Sequence, residues 1–409
     1  MGTLHVIRAS KTKTVCAMNF FSDLGSNCLR QFFMVALMFC ALAVRASADT
    51  APAQVVGSFE PIPVFSIYPP VKPDGTADEA LASGRVVDDR YTMTDRASKP
   101  WRIAFLFPHI KDPYWVGCDY GVISEAKRLG VAVDIFPANG YDDMIGQLRK
   151  MDDVIAAKYD AIVISPLSLT ANNVSIAKAR RLGIPVFELA NDSTSDDLTI
   201  KVTTSLKGMG VDATEWVIRD AQRRGLKEIN IALLPGPRDA GWVKGEVAGT
   251  REAVAKAAIK VNIVDIKYGD SDRIEQSRLA AQLLAEHGKK LDYILGCTGC
   301  APAAILPLKL AGLNKRIRIV AYDLTREIAG LIRNKEIVAS VDTKGVSQAR
   351  VVTNAAVSFL EGRSKEWPHT ILVKLGLVDY GNQATYPFDT TTAPAGFKPV
   401  LSYTPGKGK

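Results

Sequence analysis

"RIAFLFPHIKDPYWVGCDYG", residues 102–121, decides the fold. Its first six residues are apolar save Arg102 and read as a strand buried on both faces. Pro108 breaks the run. Lys111, Asp112, Pro113, Tyr114 and Trp115 follow, and Pro113 suits the first turn of a helix, where its missing N–H costs nothing. Val116, Tyr120 and Ile123 then share one face of a helix predicted over about 113–129.

The same strand-to-helix unit recurs downstream. "VAVDIF" (131–136) reads as a strand, and Met144, Leu148, Met151 and Ile155 form the apolar stripe of the next helix. "AIVIS" (161–165), a helix near 171–182 and "PVFELA" (185–190) continue the series. After a break near 200–207, strands are predicted at 229–234, 261–266, 292–296, 316–322, 337–341 and 371–378. Helices are predicted between them at 243–258, 272–287, to about 312, 325–334 and 346–361. Such alternation builds parallel sheets covered by helices on both faces. Two blocks of it predict an α/β chain with two doubly wound parallel-sheet lobes.

The chain has 409 residues, more than one compact domain usually holds. Residues 32–44, "FFMVALMFCALAV", are apolar but too short to span a membrane comfortably. They lie between Arg30 and "RASA", and the small Ala46 and Ala48 suit cleavage, so residues 1–48 read as a signal peptide for export to the periplasm. Their removal leaves 46 basic and 42 acidic residues, a net charge of +4 instead of +8. No basic run stands out, and nucleic acid is not an expected partner. Residues 49–100 are rich in Pro, Asp, Thr and Ala and read as an irregular lead-in. The tail from Asp379 reads as loose, most of all at 391–409.

Three cysteines, Cys118, Cys297 and Cys300, remain after cleavage, which is no disulfide scaffold. "CTGC" (297–300) fits either a local disulfide or two free thiols. "GMGVDA" (208–213) lacks the preceding strand and distant acid of a dinucleotide site. No phosphate loop, zinc motif or nucleophile–base pair is present. No cofactor, metal or catalytic group is expected, and the chain does not read as an enzyme.

In doubly wound sheets, ligands bind beyond the carboxyl ends of the strands. That rule selects the junctions "PHIKDPYW", "ANGY", "SPLS", "ANDS", "PGPRDAGW", "YGDSD", "CTGC" and "YDLT". They carry Tyr114, Trp115, Tyr141, Trp242 and Tyr322, with Asp112 and Asp323 beside them. Aromatic faces attract a methyl-clad, positively polarised nitrogen at ~0.5–2 kcal/mol per contact, and also stack on sugar rings. An adjacent carboxylate adds a hydrogen-bond acceptor.

The order and type of these junctions resemble the type I periplasmic binding proteins, the ribose-binder group, over about residues 101–378. "IKDPYWVGCDYGVISEAKRLGV", "AIVISPLS", "GIPVFEL" and "RIVAYD" carry the likeness. The resemblance implies two lobes joined by three crossovers, expected near 204, 342 and 367. The first lobe is then 101–204 plus 343–366, and the second is 205–342 plus 367–390. A closer likeness is to the members that sense trimethylamine N-oxide for a two-component system. It rests on Pro108, Lys111, Asp112, Tyr114, Trp115, Tyr120 and Gly121, on Gly140 and Tyr141, and on "LPGPRDAGWVK" (234–244) and "VDIKYGDSD" (264–272). The pattern departs at Leu206, Trp242 and Asp323, where those members are expected to carry Trp, Gly and Tyr.

This likeness implies a periplasmic receptor for a small methylamine oxide that signals to the periplasmic domain of a sensor histidine kinase. Tyr114, Trp115, Tyr141, Trp242 and Tyr322 would form the cage, with Asp112 and Asp323 orienting the polar end. The alternative is the binding protein of a sugar-type transporter, with Asp112, Asp323, Asn191 and Arg238 on the hydroxyls.

Overall fold

A computed structural model describes residues 61–71 and 75–406 of the chain. The expected signal peptide, residues 49–60 of the lead-in and the last three residues lie outside the described residues. Along the chain run β1 (Ile62–Tyr68), α1 (Ala77–Ser83), β2 (Arg85–Tyr91), β3 (Arg102–Phe107), α2 (Pro113–Leu129), β4 (Ala132–Pro137), α3 (Met144–Ala156) and β5 (Ala161–Ile164). Next come α4 (Asn173–Arg181), β6 (Val186–Leu189), β7 (Ile200–Thr203), α5 (Leu206–Arg223), β8 (Glu228–Gly236), α6 (Gly241–Ala255), β9 (Lys260–Tyr268), α7 (Arg273–His287) and β10 (Tyr293–Gly296). The series closes with α8 (Cys300–Ala303), α9 (Ile305–Leu310), β11 (Arg318–Ala321), α10 (Arg326–Arg333), β12 (Ala339–Asp342), α11 (Gly345–Leu360), β13 (Thr370–Val373), β14 (Gly376–Asp379) and β15 (Ser402–Tyr403).

Two sheets result, in the orders β15-β4-β3-β5-β6-β7-β13-β1-β2 and β14-β12-β11-β10-β8-β9. The interior pairs are parallel except for β13–β1, and antiparallel strands close three of the four edges. Separate apolar cores cover the two faces of each sheet. No helix among the described residues is long and apolar enough to cross a membrane.

The stretch quoted first folds as its chemistry dictates. Ile103 to Phe107 of β3 are buried, and β3 sits between β4 and β5. The Asp112 side chain caps α2 by accepting from the Trp115 N–H at 3.0 Å, and Pro113 occupies its first turn. Gly130 ends that helix at φ 75°, a left-handed position that glycine adopts without a Cβ penalty.

Three expectations need correction. The described lead-in is not irregular: β1 and β2 pair antiparallel over seven residues, and β1 joins β13, so this segment extends the first sheet. Its Pro- and Asp-rich composition hid the alternation of Ile62, Val64 and Ser66, whose side chains face inward. The run expected as one strand at 371–378 is two, β13 in the first sheet and β14 in the second. The third crossover therefore lies at 374–375, and not near 367. The tail is not loose through 403: β15 pairs with β4, and the Val400 N–H donates to the Asp119 carboxylate at 2.8 Å.

The break near 200–207 also hides a strand. β7 is buried throughout, because Lys201 Nζ is paired with Asp192 at 2.9 Å and donates to the Gly75 carbonyl at 3.2 Å. A buried ammonium is tolerated only when it is paired in this way.

Candidate ligand-binding site

The carboxyl ends of β3, β4 and β6 face those of β10 and β11 across a cavity of about 60 Å³. On the same measure a water takes roughly 10–15 Å³, so the space suits a molecule of a few heavy atoms. Asp112, Tyr114, Trp115, Tyr141 and Asn191 line it from the first lobe, and Trp242, Glu246, Cys297, Thr298 and Asp323 from the second. Thr204, Leu206, Thr343 and Gln348 line it at the crossovers. No lysine, arginine or histidine is in the lining.

Six of the seven residues selected from the sequence are brought together here. Trp115 is 2% exposed. Its ring packs on Phe107 at 5.1 Å and meets Tyr114 edge-on at 5.2 Å, so the first turn of α2 holds it rigidly. Tyr141 follows β4 and meets His109 at 5.7 Å and, across the cleft, Trp242 at 5.9 Å. The Asn191 amide donates to the Pro166 carbonyl at 2.8 Å and to the Tyr141 hydroxyl at 3.3 Å, fixing that ring's outer end. Trp242 is seated by Gly236, whose φ of 111° and missing Cβ let the indole edge approach the backbone.

Tyr322 is the seventh, and its expected place in the cage is corrected. It is fully buried in the core between the second sheet and α5 and α6, where its hydroxyl pairs with Thr250 at 2.9 Å. Successive residues at a strand end point to opposite faces. Asp323 therefore reaches the cavity and Tyr322 does not.

The carboxylates differ in what they have left to offer. Asp112 is engaged by the Trp115 N–H and stands 3.6 Å from His109 Nε2. Burial raises its pKa, against the opposing pull of His109. Asp323 accepts from the Leu324 and Thr343 N–H groups at 2.8 and 2.9 Å and from the Thr343 hydroxyl at 2.8 Å. Burial, then the charge of Asp342, pushes its pKa up to about 8. Glu246 was not foreseen. It is 1% exposed, its Oε2 has no hydrogen-bond partner, and burial holds its pKa well above the usual carboxylate range. The signal was present in the sequence, because Glu246 lies one helical turn after Trp242 and shares its face. Gln348 Oε1 and Trp242 Nε1 are likewise without partners.

Cys297 and Cys300 are joined in a disulfide, so the alternative left open by "CTGC" resolves to the oxidised form. The turn they close places Cys297 and Thr298 in the cavity wall. Cys118 is a buried free thiol. Arg238 lies outside the lining and stacks on Tyr268 at 3.8 Å. Among the described residues, Asp265, Glu286 and His287 are grouped closely enough to hold a metal. Lys267 Nζ already sits on Asp265 and Glu286 at 3.0 and 2.8 Å, a built-in cation in that place.

Two doubly wound lobes enclosing a cavity at their strand ends are the arrangement of a small-molecule binding protein. The chain belongs to the periplasmic binding protein domain family, whose model matches residues 103–364, and it has the type I fold. It is similar to the periplasmic protein TorT of Escherichia coli (strain K12), with 28% identity over 309 residues, 75% of this chain and 86% of that one. It is also similar to the structure of an ABC transporter solute binding protein from Bradyrhizobium sp. BTAi1 with bound bis-tris. There the TM-score is 0.70 and the identity 32%, over 83% of this chain and 98% of the other. TorT in complex with the TorS sensor domain in the presence of TMAO shares the fold at a TM-score of 0.65 and 24% identity, over 74% of this chain and 99% of that one.

Proposed function

We propose that this protein is an exported periplasmic receptor that binds trimethylamine N-oxide, or a similar small methylated nitrogen compound, between its lobes. The bound form then signals to the periplasmic domain of a sensor histidine kinase. One observation carries the reading: four aromatic rings, Tyr114, Trp115, Tyr141 and Trp242, converge from both lobes on a cavity of about 60 Å³. Such a cage favours a compact methyl-clad nitrogen and leaves little room for a pyranose. Asp112 and Asp323 hold the walls in place, and closure excludes water from the contacts. The likeness to TorT supports a nitrogen ligand. A ligand shifts the lobe equilibrium only by its differential affinity for the two arrangements. Residues contributed from both sides of the cleft supply that difference.

The second reading is a transport receptor for a sugar or related solute. It is favoured by Asn191 and the carboxyls in the wall and by the likeness to a transporter's binding protein.

Titration calorimetry of the purified protein against trimethylamine N-oxide and ribose, with and without the kinase's periplasmic domain, separates the two. Heat from the N-oxide that disappears in Trp115→Ala supports the sensor. Heat from ribose alone supports the transport receptor.

A further inference from the structure

Two polar groups in the cavity wall are left without partners on one helix face. The Trp242 indole N–H is a donor with no acceptor, and the Glu246 carboxyl, four residues on, has an oxygen with no partner while only 1% exposed. Both belong to α6 and both line the cavity. Buried polar atoms in folded proteins are satisfied in the great majority of cases, and exceptions mark places where something else docks. The other carboxyls of the wall are occupied: Asp112 caps α2, and Asp323 holds Thr343 and Leu324.

We infer that the Trp242 N–H and the Glu246 carboxyl together seat the oxygen of the ligand, leaving its methyl-clad nitrogen to the rings of the first lobe. This inference rests on the nitrogen-ligand reading above and assigns each end of the ligand to a lobe. An unpartnered N–H calls for an acceptor, which an N-oxide oxygen is. The carboxyl assists only as the neutral acid, because an ionised one would repel that oxygen.

The surroundings of Glu246 favour the neutral acid. It is buried, it faces the acidic Asp323, and the cavity lining holds no basic side chain. The groups charged or titratable around it are Asp323 after β11, Asp112 at the start of α2, Tyr141 after β4, and Tyr322, whose hydroxyl pKa Glu246 itself helps to raise. Burial first, and then the charge of Asp323, disfavour a negative charge on Glu246. Tyr141 completes the seat from the other lobe: the Trp242 indole N–H is near enough to its hydroxyl to draw down that group's pKa, but it does not reach hydrogen-bond geometry. A ligand oxygen placed there bridges the two lobes.

The test compares trimethylamine N-oxide with tetramethylammonium, which replaces the oxygen by a methyl and carries a full positive charge. Calorimetric titrations are run on the purified protein and on the Glu246→Gln and Glu246→Ala variants, each checked for an unchanged melting temperature. The expected result is N-oxide affinity at least tenfold above that for tetramethylammonium, declining as pH rises. Glu246→Gln keeps a donor, so it should retain N-oxide binding within about threefold while losing the pH dependence. Glu246→Ala should lose tenfold or more. Tetramethylammonium binding as tightly as the N-oxide, and collapsing in Glu246→Gln, overturns the inference: the carboxylate is then the partner of a cation, and the nitrogen reading survives. Absence of binding by either nitrogen compound, with heat from ribose, overturns both.

Discussion

The rings of Tyr141 and Trp242 meet edge-on, 5.9 Å apart and inclined at 61°, although they belong to different lobes. Each is fixed from behind, Tyr141 by Asn191 and Trp242 by Gly236, so the contact forms only when the lobes approach. Aromatic pairs of this geometry contribute about 0.5–1.5 kcal/mol beyond burial. A double-mutant cycle of Tyr141→Ala and Trp242→Ala, read by ligand titration, should return a coupling of that order. Strict additivity would remove the pair from the closure mechanism.

Stability should fall as pH rises, in part through Asp323. Its folded-state pKa is raised from 3.8 to about 8, so the folded chain holds a proton that the unfolded chain has released. The contribution is fully present below 3.8 and is lost as pH climbs through about 8. Denaturant midpoints measured across this window should decline, and the decline should be shallower in Asp323→Asn. An unchanged slope in the variant would place the titrating group elsewhere.

Reducing the Cys297–Cys300 disulfide should affect binding more than folding. The bond spans three positions in sequence, and closing so short a loop contributes about 2 kcal/mol by chain entropy. Yet the same turn puts Cys297 and Thr298 in the cavity wall. Ligand affinity in the Cys297→Ser/Cys300→Ser variant is expected to drop several-fold with a melting temperature lower by only a few degrees. A large thermal loss with intact affinity would contradict this.

Removal of the chain after Thr390 should destabilise the first lobe. It uncovers the edge of β4, leaves Asp119 without the Val400 N–H, and strips Phe397 from Tyr120, where the rings meet edge-on at 5.1 Å. Exposed backbone on a strand edge invites pairing with other chains. The truncated protein is expected to melt earlier and to self-associate in sedimentation runs.

Strand–helix alternation, the first two crossovers and the aromatic junctions were legible in the sequence, because each is written in local pattern. "RIAFLF" needs only apolarity, and "KDPYW" only the rules of a helix start. What was hidden depends on partners distant in the chain. β7 reads as polar until Lys201 is seen beside Asp192. At 371–378 the sequence shows only a single polar residue, Lys374, in an apolar run, and the pairing alone reveals that the two halves join different sheets. Tyr322 was misplaced because adjacent residues at a strand end part to opposite faces, and the sequence does not say which faces the cleft. Glu246 was missed because a lone glutamate on an amphipathic helix normally reads as solvated.

The C-terminal segment makes a fourth passage between the lobes. Thr391 hydrogen-bonds Asp342 at the second-sheet end, Arg326 holds the Ala393 carbonyl, and β15 then docks on the first sheet. The strap is anchored beside the second crossover, where Asp342 receives Thr391 and Ser347 donates to the Thr390 carbonyl. A receptor built this way does not swing freely like a book on its spine. Its gape is tethered, and the tether limits how far the two sheets can part.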